Sequence, residues 1–353
     1  MSANSTLAGF DEFLAKDFAG IATGPIDRCS RIDGRHLYIA GATGFFGKSV
    51  LSLLAYMQRR GASFKVTALS RSPQRFLEKQ PWCRDLPWLQ WRAGDVTEPW
   101  PGEGKYDCMI HAATDTAASA HVDKLNLFEQ VVTGTRRALD FAIRHRVTRV
   151  LLCGSGAQYG AIPQIFAAGV PESSMLACDA TRTHSAYGEG KRAAETLAAL
   201  YGAKHGFEIV NTRCFAFLGP GLPLDGHFAI GNFIRDALAS VPIRLATTGH
   251  SVRSYLYGAD LAVWLFVLLL EADNGAAINV GSDHAIRIID LAKRVRDIVN
   301  ADIPVHPGEA TSDGERNLYV PSIDAARALG LDAWTDLDRA IARTAEWHRR
   351  GAP

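Results

Sequence analysis

The stretch "YIAGATGFFGKSV", residues 38–50, sets glycines at 41, 44 and 47 directly behind an apolar run. A β-branched apolar run in front and a helical pattern behind read as strand, tight turn and helix. Such a turn holds the pyrophosphate of a dinucleotide, because free amides and the dipole at a helix N-terminus favour anions. A side chain at Gly41 or Gly44 would obstruct that approach, and Gly47 lets the helix sit against the strand. Thr43, Phe45 and Phe46 complete the turn and are expected to lie along the cofactor.

Working outward, "HLYIAG" (36–41) begins a long alternation. Strands are expected at 64–70, 89–94, 107–113, 149–155 and 207–213, with helices at 45–60, 124–145 and 186–205. Apolar runs alternating with helices specify an α/β fold, a Rossmann-type doubly wound parallel sheet. After residue 214 the alternation loosens into the Gly- and Pro-rich "LGPGLPLDGH", with a later helical region from 286. Three parts are therefore expected. Residues 1–34 form a helical appendage, where Phe10, Leu14 and Phe18 share one face. Residues 35–215 form the nucleotide-binding domain. Residues 216–353 form mainly a smaller substrate lobe, interleaved with the last strands.

The 353 residues carry 38 Lys plus Arg against 37 Asp plus Glu, so no basic surplus points to nucleic acid or an acidic membrane. "LAVWLFVLLL" (261–270) is about half a membrane span and reads as a buried helix. The N-terminus has no signal-peptide pattern. The six cysteines, at 29, 83, 108, 153, 178 and 214, have neither metal-ligand nor redox spacing. A cytoplasmic protein with reduced, packed thiols and no metal is expected.

The end of the second strand reads the cofactor's ribose. An acidic residue there would bond a 2′-hydroxyl and repel a 2′-phosphate. Ser70, Arg71 and Arg75 stand there instead, and guanidinium suits a phosphate, so NADP(H) is favoured over NAD(H). Asp95, after the third strand, could accept an adenine amino hydrogen. In "HSAYGEGKRAAE" (184–195), Tyr187 and Lys191 are four apart and share a helix face. A nearby ammonium favours a phenolate, so Lys191 is expected to lower the Tyr187 pKa and fit it for proton exchange with a sugar hydroxyl. Ser155 falls at the strand-end mouth where such sheets bind ligands.

With these residues in place, the chain resembles an extended short-chain dehydrogenase/reductase of the nucleotide-sugar epimerase/dehydratase family. The likeness runs from about residue 35 through "GATGFFG", "HAA" (111–113), "GSGAQYG" (154–160), "YGEGK" (187–191), "RSYLYGADLA" (253–262), "INVGS" (278–282) and the late "LGL…W". The resemblance implies Tyr187 as acid/base, Lys191 on the nicotinamide ribose and Ser155 orienting the substrate. It implies Val96, Ala112 and Ala113 beside the cofactor, and Thr114, Gly156, Gln158 and Arg253 toward a nucleotide-sugar substrate, with Arg253 on its diphosphate. A homodimer is also implied.

Departures narrow the reaction. Dehydratases of this family carry an Asp-Glu pair after the serine position; here Gly156 and Ala157 stand there and cannot relay a proton. Epimerases usually show Asn where this chain has Ala216, and Val131 replaces a customary Asn. These differences favour reduction of a 4-keto nucleotide sugar, with 4-epimerisation as the alternative. A non-catalytic NADP(H) sensor is disfavoured by the intact Tyr-Lys pair.

Overall fold

The computed structural model describes residues 3–21, 23–114, 123–226, 228–309 and 318–350. The chain begins with α1 (Ala3–Phe18) and α2 (Thr23–Cys29). The nucleotide half follows: β1 (His36–Ala40), α3 (Phe45–Arg59), β2 (Lys65–Ser70), α4 (Pro73–Lys79), β3 (Leu89–Ala93), β4 (Cys108–His111), α5 (Lys124–Arg144), β5 (Arg149–Cys153), α6 (Ala186–His205) and β6 (Glu208–Cys214). Each expected strand and helix of this half is present, with ends that differ by a few residues.

The later chain consists of shorter pieces. They are β7 (Phe217–Leu218), α7 (Ala229–Leu238), β8 (Ile243–Arg244), β9 (Val252–Arg253), β10 (Leu256–Tyr257), α8 (Gly258–Glu271) and β11 (Ala277–Val280). They continue as β12 (Ile286–Arg287), α9 (Ile288–Val299), β13 (Val305–His306), β14 (Leu318–Tyr319), α10 (Asp324–Ala328) and α11 (Leu337–Arg350).

Seven strands form one sheet in the order β11-β6-β5-β4-β1-β2-β3, and all six pairings are parallel. The chain steps outward from β1 to β3 and returns beside β1 with β4. The crevice between the C-terminal ends of β1 and β4 is the switch point where ligands of open α/β sheets bind. Among the short strands, β7 pairs with β10, β9 lies between β12 and β14, and β8 pairs with β13.

The core explains the helices. Leu261 through Leu269 of α8 are all buried, and the helix packs against α3 beneath the sheet. A helix that is apolar on every side belongs in an interior, and each such side chain contributes about 1.5–3 kcal/mol on burial. No helix among the described residues is long and apolar enough to cross a membrane.

The N-terminal appendage is clasped to the body. Phe10 stacks on Trp82 with centroids 4.2 Å apart, and Phe18 stacks on Tyr56 at 4.9 Å. Asp17 accepts from the Arg343 guanidinium at 2.6 Å and from the Tyr257 hydroxyl at 2.9 Å. Phe10, Leu14 and Phe18 are buried as their spacing predicts.

Candidate active site

The glycine turn sits at the switch point, and its three glycines have different reasons to be there. Gly41 has φ +90°, and a Cβ on it would lie 2.6 Å from the backbone of Ala112 and Ala113 at the end of β4. Its smallness is required by the protein's own chain as well as by any ligand. A Cβ at Gly47 would come within 2.3 Å of Ala42 Cα and the Gly41 carbonyl oxygen, so this glycine seats α3 on the turn. Gly44 is different. A Cβ there would meet the Gly41 carbonyl oxygen at 3.4 Å and otherwise open space.

Gly44 is also the N-cap of α3 and supplies no side-chain cap. The first-turn amides at Phe45 and Phe46 therefore face an exposed, uncrowded position, as an incoming anion requires. The residues present fit a dinucleotide pyrophosphate, with Thr43 in the same turn.

The residues expected at the ribose come from β2 and the loop after β3. Ser70 is buried at the strand tip, and its Oγ accepts from the Ser72 amide at 3.3 Å. Arg71 and Arg75 lie exposed beyond it. Asp95 Oδ1 accepts from the Thr97 amide at 2.9 Å and the Thr97 hydroxyl at 2.7 Å. These bonds, with the Arg71 charge nearby, hold its carboxyl below the usual range. That oxygen is thus engaged by its own loop rather than reserved for adenine. Val96 gives its carbonyl to the Trp100 indole at 3.0 Å and fixes the same loop.

At the other end, α6 presents Tyr187, Lys191 and Glu195 on one face, four residues apart. Lys191 Nζ donates to Thr114 Oγ1 at 2.7 Å and to the Cys153 carbonyl at 2.8 Å. The ammonium is 5.9 Å from the centroid of the Tyr187 ring. Ser155 is buried, hydrogen-bonds Tyr187, and caps the following turn through a bond from the Ala157 amide at 3.1 Å. The structure thus brings Ser155, Tyr187, Lys191 and Thr114 together. Thr114 touches Lys191 and is a positioning group there, in addition to any substrate contact.

Burial pushes the Tyr187 phenol above its ordinary value, and the Ser155 hydrogen bond opposes the shift. The expected lowering by Lys191 is not found in the chain alone, because Nζ is turned toward Thr114 and the β5 carbonyl. Burial likewise pushes the Lys191 ammonium down.

Gln158 has a structural part in this site. Only 4% exposed, it accepts from the Ser155 amide at 3.2 Å and donates to Glu195 at 2.7 Å. Glu195 is gripped in turn by Arg213 at 2.7 Å, and Arg213 reaches the Tyr159 hydroxyl at 2.9 Å. This chain of bonds holds the serine turn from behind. Glu195 and Arg213 were not singled out from the sequence, although the i, i+4 spacing from Lys191 was a usable signal.

The wall facing Ser155 comes from the later chain. A Cβ at Gly156 would lie 2.8 Å from the Phe215 ring. Phe215 packs on Tyr319 at 4.6 Å, and Arg253 lies over Tyr319 at 5.8 Å. Arg253 and Tyr319 are register partners of β9 and β14. Val131 is buried against Gly190, in the seam between α5 and α6. The six cysteines are free thiols and five of them are buried. Parallel pairing of β5 with β6 brings Cys153 and Cys214 close together behind the site.

This sheet, its glycine turn and the Ser-Tyr-Lys cluster define an extended short-chain dehydrogenase/reductase. The chain belongs to the NAD dependent epimerase/dehydratase family, whose sequence pattern matches residues 37–281. UDP-glucuronic acid decarboxylase 5 of Arabidopsis thaliana is 32% identical over 241 residues, covering 67% of this chain and 68% of that protein. A UDP-N-acetylglucosamine 4-epimerase from Methanobrevibacter ruminantium, solved with UDP-N-acetylmuramic acid, superposes with TM-score 0.77 at 17% identity, covering 90% of this chain and 99% of that one. A dTDP-glucose 4,6-dehydratase from Bacillus anthracis, solved with NAD, gives 0.73 at 16% identity, covering 90% and 97%. The protein is an enzyme of nucleotide-sugar chemistry.

Proposed function

We propose that this enzyme reduces a 4-keto nucleotide sugar with NADPH. One observation carries the reading: an intact Ser155–Tyr187–Lys191 cluster faces a wall in which Phe215 takes the space an acid at position 156 would need. Elimination of water requires a second proton carrier beside the sugar, whereas ketone reduction requires one acid. Bound NADPH supplies the hydride. Tyr187 is protonated at neutral pH because burial raises it, the form needed to give a proton to a developing alkoxide. Ser155 orients the same oxygen, and Lys191 keeps positive charge near it.

Ser70, Arg71 and Arg75 support NADP(H), since they offer a hydroxyl and cations where a 2′-phosphate would lie. Gly41, Thr43, Gly44 and the first turn of α3 would hold the pyrophosphate, with Ala112 and Ala113 closing the opposite wall. Residues 216–353 would supply most of the sugar-nucleotide lobe, with Arg253 toward the diphosphate. A cytoplasmic homodimer is the proposed working form, and light scattering on the purified protein checks the dimer.

The identity to UDP-glucuronic acid decarboxylases favours one second reading. On that reading the substrate would be a nucleotide-linked uronic acid that loses its carboxylate, with Tyr187 exchanging a proton with the sugar hydroxyl. Incubation with NADPH and a 4-keto nucleotide sugar, and separately with oxidised cofactor and UDP-glucuronic acid, separates the possibilities. Stoichiometric loss of reduced nicotinamide supports reduction. Carbon dioxide release from UDP-glucuronic acid supports decarboxylation, and interconversion of 4-hydroxy epimers without net loss of NADPH supports epimerisation.

A further inference from the structure

Behind Lys191 lie two polar groups that the proposed reaction does not use. His111, the last residue of β4, and Asn211, inside β6, are each 6% exposed. Neither His111 Nδ1 nor Asn211 Oδ1 makes a hydrogen bond among the described residues. Buried polar atoms are nearly always paired, and an exception calls for a partner of another kind. The Asn211 backbone amide is already paired, donating to the Ala276 carbonyl at 2.8 Å, so the open group is on its side chain.

Both residues line one cavity of about 10 Å³, which Lys191, Glu195, Thr135, Cys153 and Gly154 also border. That volume suits a single water, provided two to four polar groups surround it. Lys191 brings a third donor beyond those given to Thr114 and the Cys153 carbonyl.

We propose that one ordered water occupies this cavity, bonded to His111 Nδ1, Asn211 Oδ1 and the Lys191 ammonium, and that Asn211 is thereby a positioning residue for Lys191. The proposal rests on the reading of Lys191 as the cation of the cofactor site. A neutral occupant is favoured over a metal or ammonium ion because Lys191 already brings a positive charge. His111 adds none, since burial and the Lys191 charge push its imidazole down to about 3. Glu195 faces the cavity with its charge met by Arg213. Cys153 and Cys214 are the remaining titratable groups around Lys191, with Tyr187 one helical turn away.

The water accepts from the ammonium and passes hydrogen bonds to two fixed groups, so it favours the charged lysine. A near-isosteric Asn211→Leu should expel it and make Lys191 easier to deprotonate.

A high-resolution crystal structure should show density about 2.7–3.2 Å from both His111 Nδ1 and Asn211 Oδ1. Lack of density, or a direct His111–Asn211 bond closing the cavity, overturns the proposal. In solution, oxidised NADP binding is titrated against pH by fluorescence. Asn211→Leu should move the alkaline limb of affinity down by about half a pH unit or more, while Asn211→Ser and Thr135→Val keep it near the unmodified value. An unchanged limb in a folded Asn211→Leu protein overturns the positioning role. If that variant does not fold, the density at His111 Nδ1 and Asn211 Oδ1 still decides. Neither readout uses a sugar substrate, so absence of ketoreductase activity would sink the reaction proposed above and leave this inference standing.

Discussion

At the β1–α3 turn the chain is shaped by backbone crowding, whereas around Lys191 it is shaped by side chains arriving from distant segments. Gly41 and Gly47 abut main-chain atoms a few residues away or on the neighbouring strand. The cluster around Lys191 draws Thr114 from the β4 loop, Ser155 from just beyond β5, Tyr187 and Lys191 from α6, and Phe215 from beyond β6. A turn of the first kind tolerates almost no substitution but says little about the reaction. A cluster of the second kind tolerates structural change better, and its details select the chemistry.

Substitution at the turn should have the largest effect. Gly41→Ala places a Cβ 2.6 Å from two backbone atoms in a left-handed conformation, which should cost about 3 kcal/mol or more. Urea unfolding should show this loss with or without cofactor. A melting profile like that of the unmodified protein would erase the distinction between the two regions.

Tyr187→Phe should do the reverse. Turnover should fall about 100-fold or more, while unfolding and nucleotide affinity stay close to those of the parent. Steady-state kinetics beside a binding titration is the check, and parallel loss of both would place Tyr187 with the structural group.

The Gly156 wall tests where the regions meet. Gly156→Ala should destabilise by about 1–3 kcal/mol because its Cβ meets the Phe215 ring. Pairing it with Phe215→Leu should recover part of that loss, read as non-additivity in a double-mutant cycle.

At the ribose end, Arg71→Ala should weaken NADPH about 10-fold and leave NADH almost unchanged, the effect of losing one charge-assisted phosphate bond. Tighter NADH than NADPH in the unmodified protein would falsify the cofactor assignment. The smallest effect is a null. With its pKa pushed down to about 3, His111 should show no imidazole titration by NMR between about pH 8 and pH 5. The sign follows from its ordinary value of 6.5: the unfolded chain takes up this proton first, so this group's contribution to stability falls as pH drops from about 6.5 toward 3.

Much of the nucleotide half was legible before any coordinates. Strands of one period and helices of another leave unmistakable patterns, and α5 and α6 begin where their spacing predicts. The Tyr187–Lys191 pair was legible for the same reason, since four residues on a helix always share a face. Less legible was what each polar side chain points at. The resemblance implies Gln158 toward the substrate, while the 3₁₀ turn at Gly156–Tyr159 also ties its amide to Glu195, a contact no local pattern announces. Asp95 stands where expected, but Thr97 two residues later engages one of its oxygens.

Local periodicity, turn chemistry and the glycine spacing by themselves determined a parallel nucleotide-binding sheet with a Tyr-Lys helix at its mouth. These are short-range rules written within a few residues of chain. Tertiary structure alone decided that Phe215 fills the space beside Gly156, that Cys153 meets Cys214, and that His111 and Asn211 turn toward one cavity behind Lys191. Those contacts depend on the order and register in which strands far apart in the chain come to lie side by side, and no local pattern encodes that order.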